Sequence, residues 1–162
     1  MWTSSYTDTA HADPMNGVTR ITVHHDGMES LIWSDDMNSS RRRLQLIRRS
    51  HLHRGFADIG YHYVIDRAGR IWQARPVQFQ SAHAGGANNR HNVGVMVMGN
   101  FDLQQPTNAQ LQTLPESLRL LMAYYRVPVS RVYTHQELKP TACPGRNLQP
   151  RMVRLRSSGY LG

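Results

Sequence analysis

Cys143 is the single cysteine in a chain of 162 residues, and it stands eight positions after His135 in the stretch THQELKPTACPG, Thr134 to Gly145. A thiol so placed can be a metal ligand, a nucleophile with His135 as its base, or a small buried hydrophobe. His24 offers a third group. Together, two imidazoles and one thiolate would make a three-ligand zinc site with a fourth position open to water, the count typical of catalytic zinc. With one thiolate the ion keeps a net positive charge, so it can acidify water and polarise a carbonyl. Residue types and spacing leave the zinc site and the cysteine nucleophile both open.

For these groups to meet, the chain must fold them together. RITVHH, Arg20 to His25, alternates Ile21 and Val23 with polar neighbours and reads as a strand ending on its histidines. SRVYTH, Ser130 to His135, reads as a second short strand that also ends on a histidine. In open α/β sheets ligands gather outside the carboxyl ends of the strands. If these two strands are parallel neighbours, His24 and His135 come together, and Cys143 returns through a loop stiffened by Pro140 and Pro144.

The other elements fill in a frame. Ser39 and Ser40 can cap a helix through Arg41–Arg54, with Leu44, Ile47 and Leu52 inward and Arg41–Arg43 a solvated face. GYHYVIDRAGRIWQAR, Gly60 to Arg75, reads as a hairpin turning at Asp66–Gly69. The apolar run Val93 to Gly99 suits a central strand buried on both sides. Thr107 and Gln110 form a capping box before Leu111, Leu114, Leu118, Leu121, Met122 and Tyr125, with a kink or late start expected at Pro115. A last helix follows Asn147, with Met152, Val153 and Leu155 partly inward. The expected fold is α/β: one domain with a mixed central sheet and about three helices on its faces. Residues 1–17 read as an N-terminal arm and residues 18–162 as the folded domain.

Composition narrows the classes. One cysteine forbids an internal disulfide. Nothing approaches the apolar length of a membrane span, and residues 1–17 lack the apolar centre of a secretion signal. That predicts either no export by that route or a signal absent from this sequence. The net charge of +8 predicts attraction to polyanions without naming one. A nucleic-acid binder would need basic residues clustered with stacking aromatics, and no such grouping is present. Of the nine histidines, surface scatter accounts for some, His51 and His53 among them.

Four blocks, ITVHHDG, IGYHYVIDRAGRIWQARP, AHAGGANNRHNVGVMVMGNFD and THQELKPTACPG, occur in this order between Ile21 and Gly145. With them the chain resembles the zinc amidases of the N-acetylmuramoyl-L-alanine amidase type, a family shared by phage endolysins, bacterial wall amidases and peptidoglycan recognition proteins. The resemblance, spanning about Ile21 to Leu148, implies one zinc ion held by His24, His135 and Cys143. It implies Tyr61 as the catalytic tyrosine. Where some phage members carry a lysine two positions before the zinc cysteine, this chain has Thr141, which takes the supporting catalytic role. His83, on a loop bordering the substrate groove, Lys139 and Glu137 are the candidate substrate contacts. His25, His62 and His91 are expected to be structural or surface residues.

The activity implied is hydrolysis of the amide between N-acetylmuramic acid and the L-alanine of the stem peptide. The partner is peptidoglycan, with acidic wall polymers or an anionic outer-membrane surface as further polyanions. A phage lysin would stay in the host cytoplasm until its release to the wall. A bacterial remodelling or recycling amidase would be periplasmic or extracellular after signal removal. The remaining alternative is a peptidoglycan-binding module of the same fold that does not cut; such relatives typically lack the full ligand set that this chain carries.

Overall fold

The computed structural model describes residues 7–162. Its centre is one five-stranded sheet built from β1 (Arg20–His25), β2 (Tyr63–Ile65), β3 (Ile71–Gln73), β4 (Asn92–Val97) and β5 (Val132–Thr134), in the spatial order β3-β2-β4-β1-β5. β1 runs parallel to both β4 and β5, and β2 is parallel to β4; the hairpin partner β3 is antiparallel. The condition for bringing His24 and His135 together is therefore met. Three helices, α1 (Met37–His53), α2 (Asn108–Tyr125) and α3 (Gln149–Ser157), cover the sheet. The fold class is the one expected.

Strand alternation decides what each face carries. Ile21, Val23, Ile65, Val93, Val95, Val97 and Val132 join Leu114, Leu118 and Met122 of α2 and Met152 of α3 in one apolar cluster. Val64, Met96 and Trp72 point the other way and pack with Leu44 and Ile47 of α1. Between them on that second face lie the buried polar residues Thr22, His24, His62 and Asn92.

Several local expectations are corrected. The cap of α1 is Asp36, whose carboxylate accepts the Ser39 N–H at 2.9 Å, so the helix starts before Ser39. Arg43 is not on the solvated face. It is buried and bidentate to Asp26, with Nε and Nη2 at 2.9 and 2.8 Å, and it also donates to the Ser30 carbonyl. A buried guanidinium persists because its donors are satisfied by a carboxylate and a carbonyl. His51 is buried too, one turn beyond Ile47 on the inner side of α1, while Leu52, expected inward, is exposed. The capping box at Thr107 and Gln110 is present, and α2 continues through Pro115 without a late start. Val153 is 47% exposed, leaving Met152 as the buried residue of α3.

Of the expected arm, residues 1–6 lie outside the described ones. The rest packs onto the domain: Met15 is buried, its N–H donates to the Gln78 carbonyl, and Pro14 bridges to Phe79. Among the described residues, no helix is long and apolar enough to cross a membrane.

Candidate metal centre

β1 delivers His24 on the polar face of the sheet. β5 ends at Thr134, and His135 opens a short 3-10 turn, His135–Glu137, at the same edge. The loop beyond it returns Cys143, whose carbonyl accepts the Gln136 N–H at 2.9 Å and ties the loop to that turn. One ligand atom from each of His24, His135 and Cys143 lies within 4.8 Å of the others. His24 Nδ1 is 3.6 Å from Cys143 Sγ, close to the separation of about 3.5 Å that two ligands keep around tetrahedral zinc.

The donor set suits a cation on chemical grounds as well. His135 Nε2 is buried with no hydrogen-bond partner among the described residues, and an orphaned buried polar atom calls for a ligand of its own. Burial, followed by the neighbouring imidazoles of His83 and His135, holds the His24 pKa well below its ordinary value. Burial, then the Lys139 ammonium, brings His135 to about 4. Both rings are thus neutral lone-pair donors at neutral pH. Burial pushes the Cys143 thiol up to about 12, against the pull of the His25 N–H on its sulfur at 3.4 Å. A thiol so raised is a poor nucleophile by itself, and a cation is what converts it to thiolate. The set fits zinc.

Tyr61 stands beside the pair of rings, its ring centroid 5.3 Å from that of His24. Burial, then the Cys143 sulfur, raises its phenol above the ordinary range and keeps it protonated. His51 packs 5.7 Å from the Tyr61 ring, and its Nδ1 accepts the neighbouring Gly60 N–H at 2.8 Å. The spacing of Leu44, Ile47 and His51 along α1 carried that signal, although composition alone suggested a surface histidine. Thr141 is exposed two positions before Cys143, its hydroxyl oxygen accepting the Cys143 N–H at 3.3 Å.

The remaining candidates separate. Lys139 is exposed on the same loop, its ammonium reaching over Gly85. His83 is buried, with one nitrogen on His24 and the other on the Asn92 carbonyl, which leaves neither for substrate. Glu137 is likewise committed, accepting the Thr134 N–H at 2.7 Å and pairing with Arg156. His25 points to the opposite face, where Nδ1 accepts the Phe101 N–H. Both nitrogens of His62 are engaged, by the Gly94 N–H and the Phe79 carbonyl. His91 is half-buried, with Nδ1 near the Gly17 carbonyl.

Residues 14–146 match the profile of a family described as N-acetylmuramoyl-L-alanine amidase. The endolysin of Escherichia phage T7 is 35% identical over 108 residues, 64% of this chain and 70% of the phage protein. A peptidoglycan-recognition protein of Drosophila simulans is also 35% identical over 108 residues, but there the match spans 65% of this chain and only 58% of the insect protein. Among solved structures, the endolysin N-acetylmuramoyl-L-alanine amidase LysCS of Clostridium intestinale URNW superposes with a TM-score of 0.76 at 25% identity, covering 95% of this chain and 91% of that one.

Proposed function

The chain belongs to the N-acetylmuramoyl-L-alanine amidase family, and on that footing we propose that it is a zinc-dependent peptidoglycan hydrolase. Its bond is the amide joining N-acetylmuramic acid to the L-alanine of the stem peptide. The observation that carries the zinc reading is the convergence of His24, His135 and Cys143 within 4.8 Å. Similarity to the T7 phage endolysin favours a phage-type lysin, held in the host cytoplasm until its release to the wall. A binding-only module would have no use for a complete ligand triad beside a protonated tyrosine.

When bound by these three residues, zinc supplies Lewis-acid chemistry, acidifying a water and polarising the scissile carbonyl. The protein's own groups do the rest. Tyr61, protonated at working pH, donates a hydrogen bond to the carbonyl oxygen as negative charge gathers there. Thr141, whose oxygen already accepts the Cys143 N–H, keeps its hydroxyl hydrogen for the same oxygen. Lys139 offers a cation at the rim for the carboxylates of the stem peptide. The water oxygen adds to the carbonyl carbon and gives up a proton, the C–N bond breaks, and the alanine nitrogen leaves with that proton. The net charge of +8 suits an anionic wall polymer or outer-membrane surface as a further, salt-sensitive partner.

Mass spectrometry of purified muropeptides tests the reading. Expected products are glycan fragments with a free lactyl carboxylate and intact stem peptides with a free L-alanine amine. Chelation should abolish them and added zinc restore them. Cleavage inside the peptide would redirect the bond assignment, and full activity in metal-free protein would remove the zinc.

A further inference from the structure

The imidazole of His83 lies edge-on to His24, with ring centroids 4.6 Å apart and planes at 85°. Its Nδ1 is 2.6 Å from His24 Nε2, and its own Nε2 is 3.2 Å from the Asn92 backbone carbonyl. That carbonyl can only accept, so His83 Nε2 must carry the hydrogen. In a neutral ring Nδ1 is then the acceptor, and the hydrogen between the two histidines belongs to His24 Nε2. A charged ring is disfavoured here: His24 and His62 crowd His83, and among the described residues no carboxylate touches it in this buried interior. The consequence falls on His24 Nδ1, which is left with a bare lone pair, and it is this atom that faces Cys143 Sγ.

Resting on the zinc reading above, we propose that His83 is a positioning residue for the first metal ligand. It holds His24 in the Nε2–H tautomer and fixes the ring so that the Nδ1 lone pair meets the ion.

The surroundings are built to hold His83 itself. Its backbone N–H donates to Asn89 Oδ1 at 3.0 Å, which also accepts from Ala84 and Gly85. Asn92 is pinned from two sides: Thr22 Oγ1 donates to its Oδ1 at 2.9 Å, and its Nδ2 donates to the Asn88 carbonyl at 2.7 Å. Beneath the ring lies Gly94. A methyl group there would come within 2.6 Å of His83 Cδ2 and 2.8 Å of Cγ, so the histidine is seated against bare backbone. Thr22 and His24 lie on the same side of β1, so the strand that carries the ligand also steadies the carbonyl that orients it.

Such outer partners of a metal-bound histidine fix its tautomer and orientation, and their loss typically costs about 10–100-fold in metal affinity. The test measures zinc affinity by competition against a chromogenic chelator, with the wild type and His83→Leu, His83→Gln and Gly94→Ala variants. Melting of each metal-free protein is recorded alongside. His83→Leu should weaken zinc binding roughly 10–100-fold. His83→Gln, whose amide oxygen can accept the same N–H, should recover most of it. Gly94→Ala should weaken zinc in the His83 background and add nothing to His83→Leu. On the metal-free wild type, long-range 1H–15N correlation should report the His24 hydrogen on Nε2. A His24 hydrogen on Nδ1, an unchanged affinity in a folded His83→Leu protein, or a Gln variant as weak as the Leu one would overturn the inference alone. A folded wild type that takes up no zinc would overturn the metal reading with it.

Discussion

On one side of the sheet Ile21, Val23, Val93, Val95 and Val97 meet α2 and α3 with side chains that carry no polar atom. On the other side the same two strands present Thr22, His24, Asn92 and Gly94. Burial on the first side stabilises by about 25 cal/mol per Å² of apolar surface and asks for no particular partner. On the second, each polar group needs a matched neighbour or costs about 1–3 kcal/mol. Those needs are met along Thr22–Asn92–His83–His24, up to the Nε2 of His135, which has no partner among the described residues. Because a strand alternates sides, a single β1 feeds both: stability lies behind the sheet and chemistry in front of it, one residue apart.

The division can be broken most forcefully from the front. Cys143→Ser removes the thiolate, so zinc affinity should fall on the order of a thousandfold, one ligand's share of a structural zinc's binding energy. Wall-lytic activity should fall with it. From behind, Leu118→Ala should destabilise the fold by about 2–5 kcal/mol, as truncation of a fully buried leucine does. Zinc affinity should stay unchanged in the folded fraction. Chelator competition and denaturant unfolding on both variants give the answer. If Cys143→Ser costs the metal-free protein as much stability as Leu118→Ala, the two sides are not separate.

A subtler change on the front face probes chemistry without the metal. Tyr61→Phe deletes one hydroxyl from a ring packed beside His24. Loss of a donor to a developing oxyanion typically lowers kcat by about 10²–10³. Zinc stoichiometry should stay at the wild-type level, since no ligand changes. Steady-state kinetics on a defined muropeptide, with metal analysis of the same sample, check both halves. Unchanged turnover would return Tyr61 to a packing role.

How much of this was legible in the chain follows the same division. The apolar side announced itself through period-2 alternation in β1 and β4 and helical spacing in α2, signals that local sequence carries. The triad was legible as strand-end histidines and one cysteine, because the parallel strands β1 and β5 deliver their groups at the same carboxyl end of the sheet. His83 was not. Its partner on β4 is the carbonyl of Asn92, and no residue type advertises a backbone oxygen. Arg43 and His51 were misread for a related reason: charge and composition placed them outside, while Asp26 and the Gly60 N–H, which lie outside α1, make burial tolerable. Lys139 and Thr141 sit on an exposed loop where spacing says little about which atom meets the substrate.

Proton release gives a milder test of the front face. In the metal-free protein burial holds His24 well below its ordinary value and brings His135 to about 4, so both ligand histidines are neutral at neutral pH, whereas burial pushes the Cys143 thiol up to about 12. Zinc binding therefore displaces one proton, the thiol's, and raising the pH favours the bound form. Apparent zinc affinity should climb about tenfold per unit between about pH 5 and pH 7, below the range where a zinc-held water ionises. Competition titrations across that interval measure the slope. A slope of zero would mean that Cys143 is no ligand, and a slope of two would mean that a histidine starts out protonated.

The smallest expected effect lies where the two sides meet. Glu137 accepts the Thr134 N–H at the root of the His135 turn and pairs with Arg156, which reaches from α3 and also donates to the Val132 carbonyl. Burial pushes the Glu137 carboxyl up, but Arg156 and the Thr134 N–H outweigh it and hold it below the ordinary glutamate range. Because the folded pKa is depressed, the pair contributes stability above the unfolded value of about 4.3, and that contribution is lost as the pH falls through the folded value. Glu137→Gln keeps an oxygen for Thr134 and removes the charge. It should cost at most about 1 kcal/mol at neutral pH, and the difference from wild type should shrink towards zero in acid and in high salt. Zinc affinity should change by less than about threefold, since the metal-facing nitrogen of His135 is not touched. A tenfold loss would instead mean that the clamp from α3 sets the position of His135, and that the helix behind the sheet takes part in the chemistry in front of it.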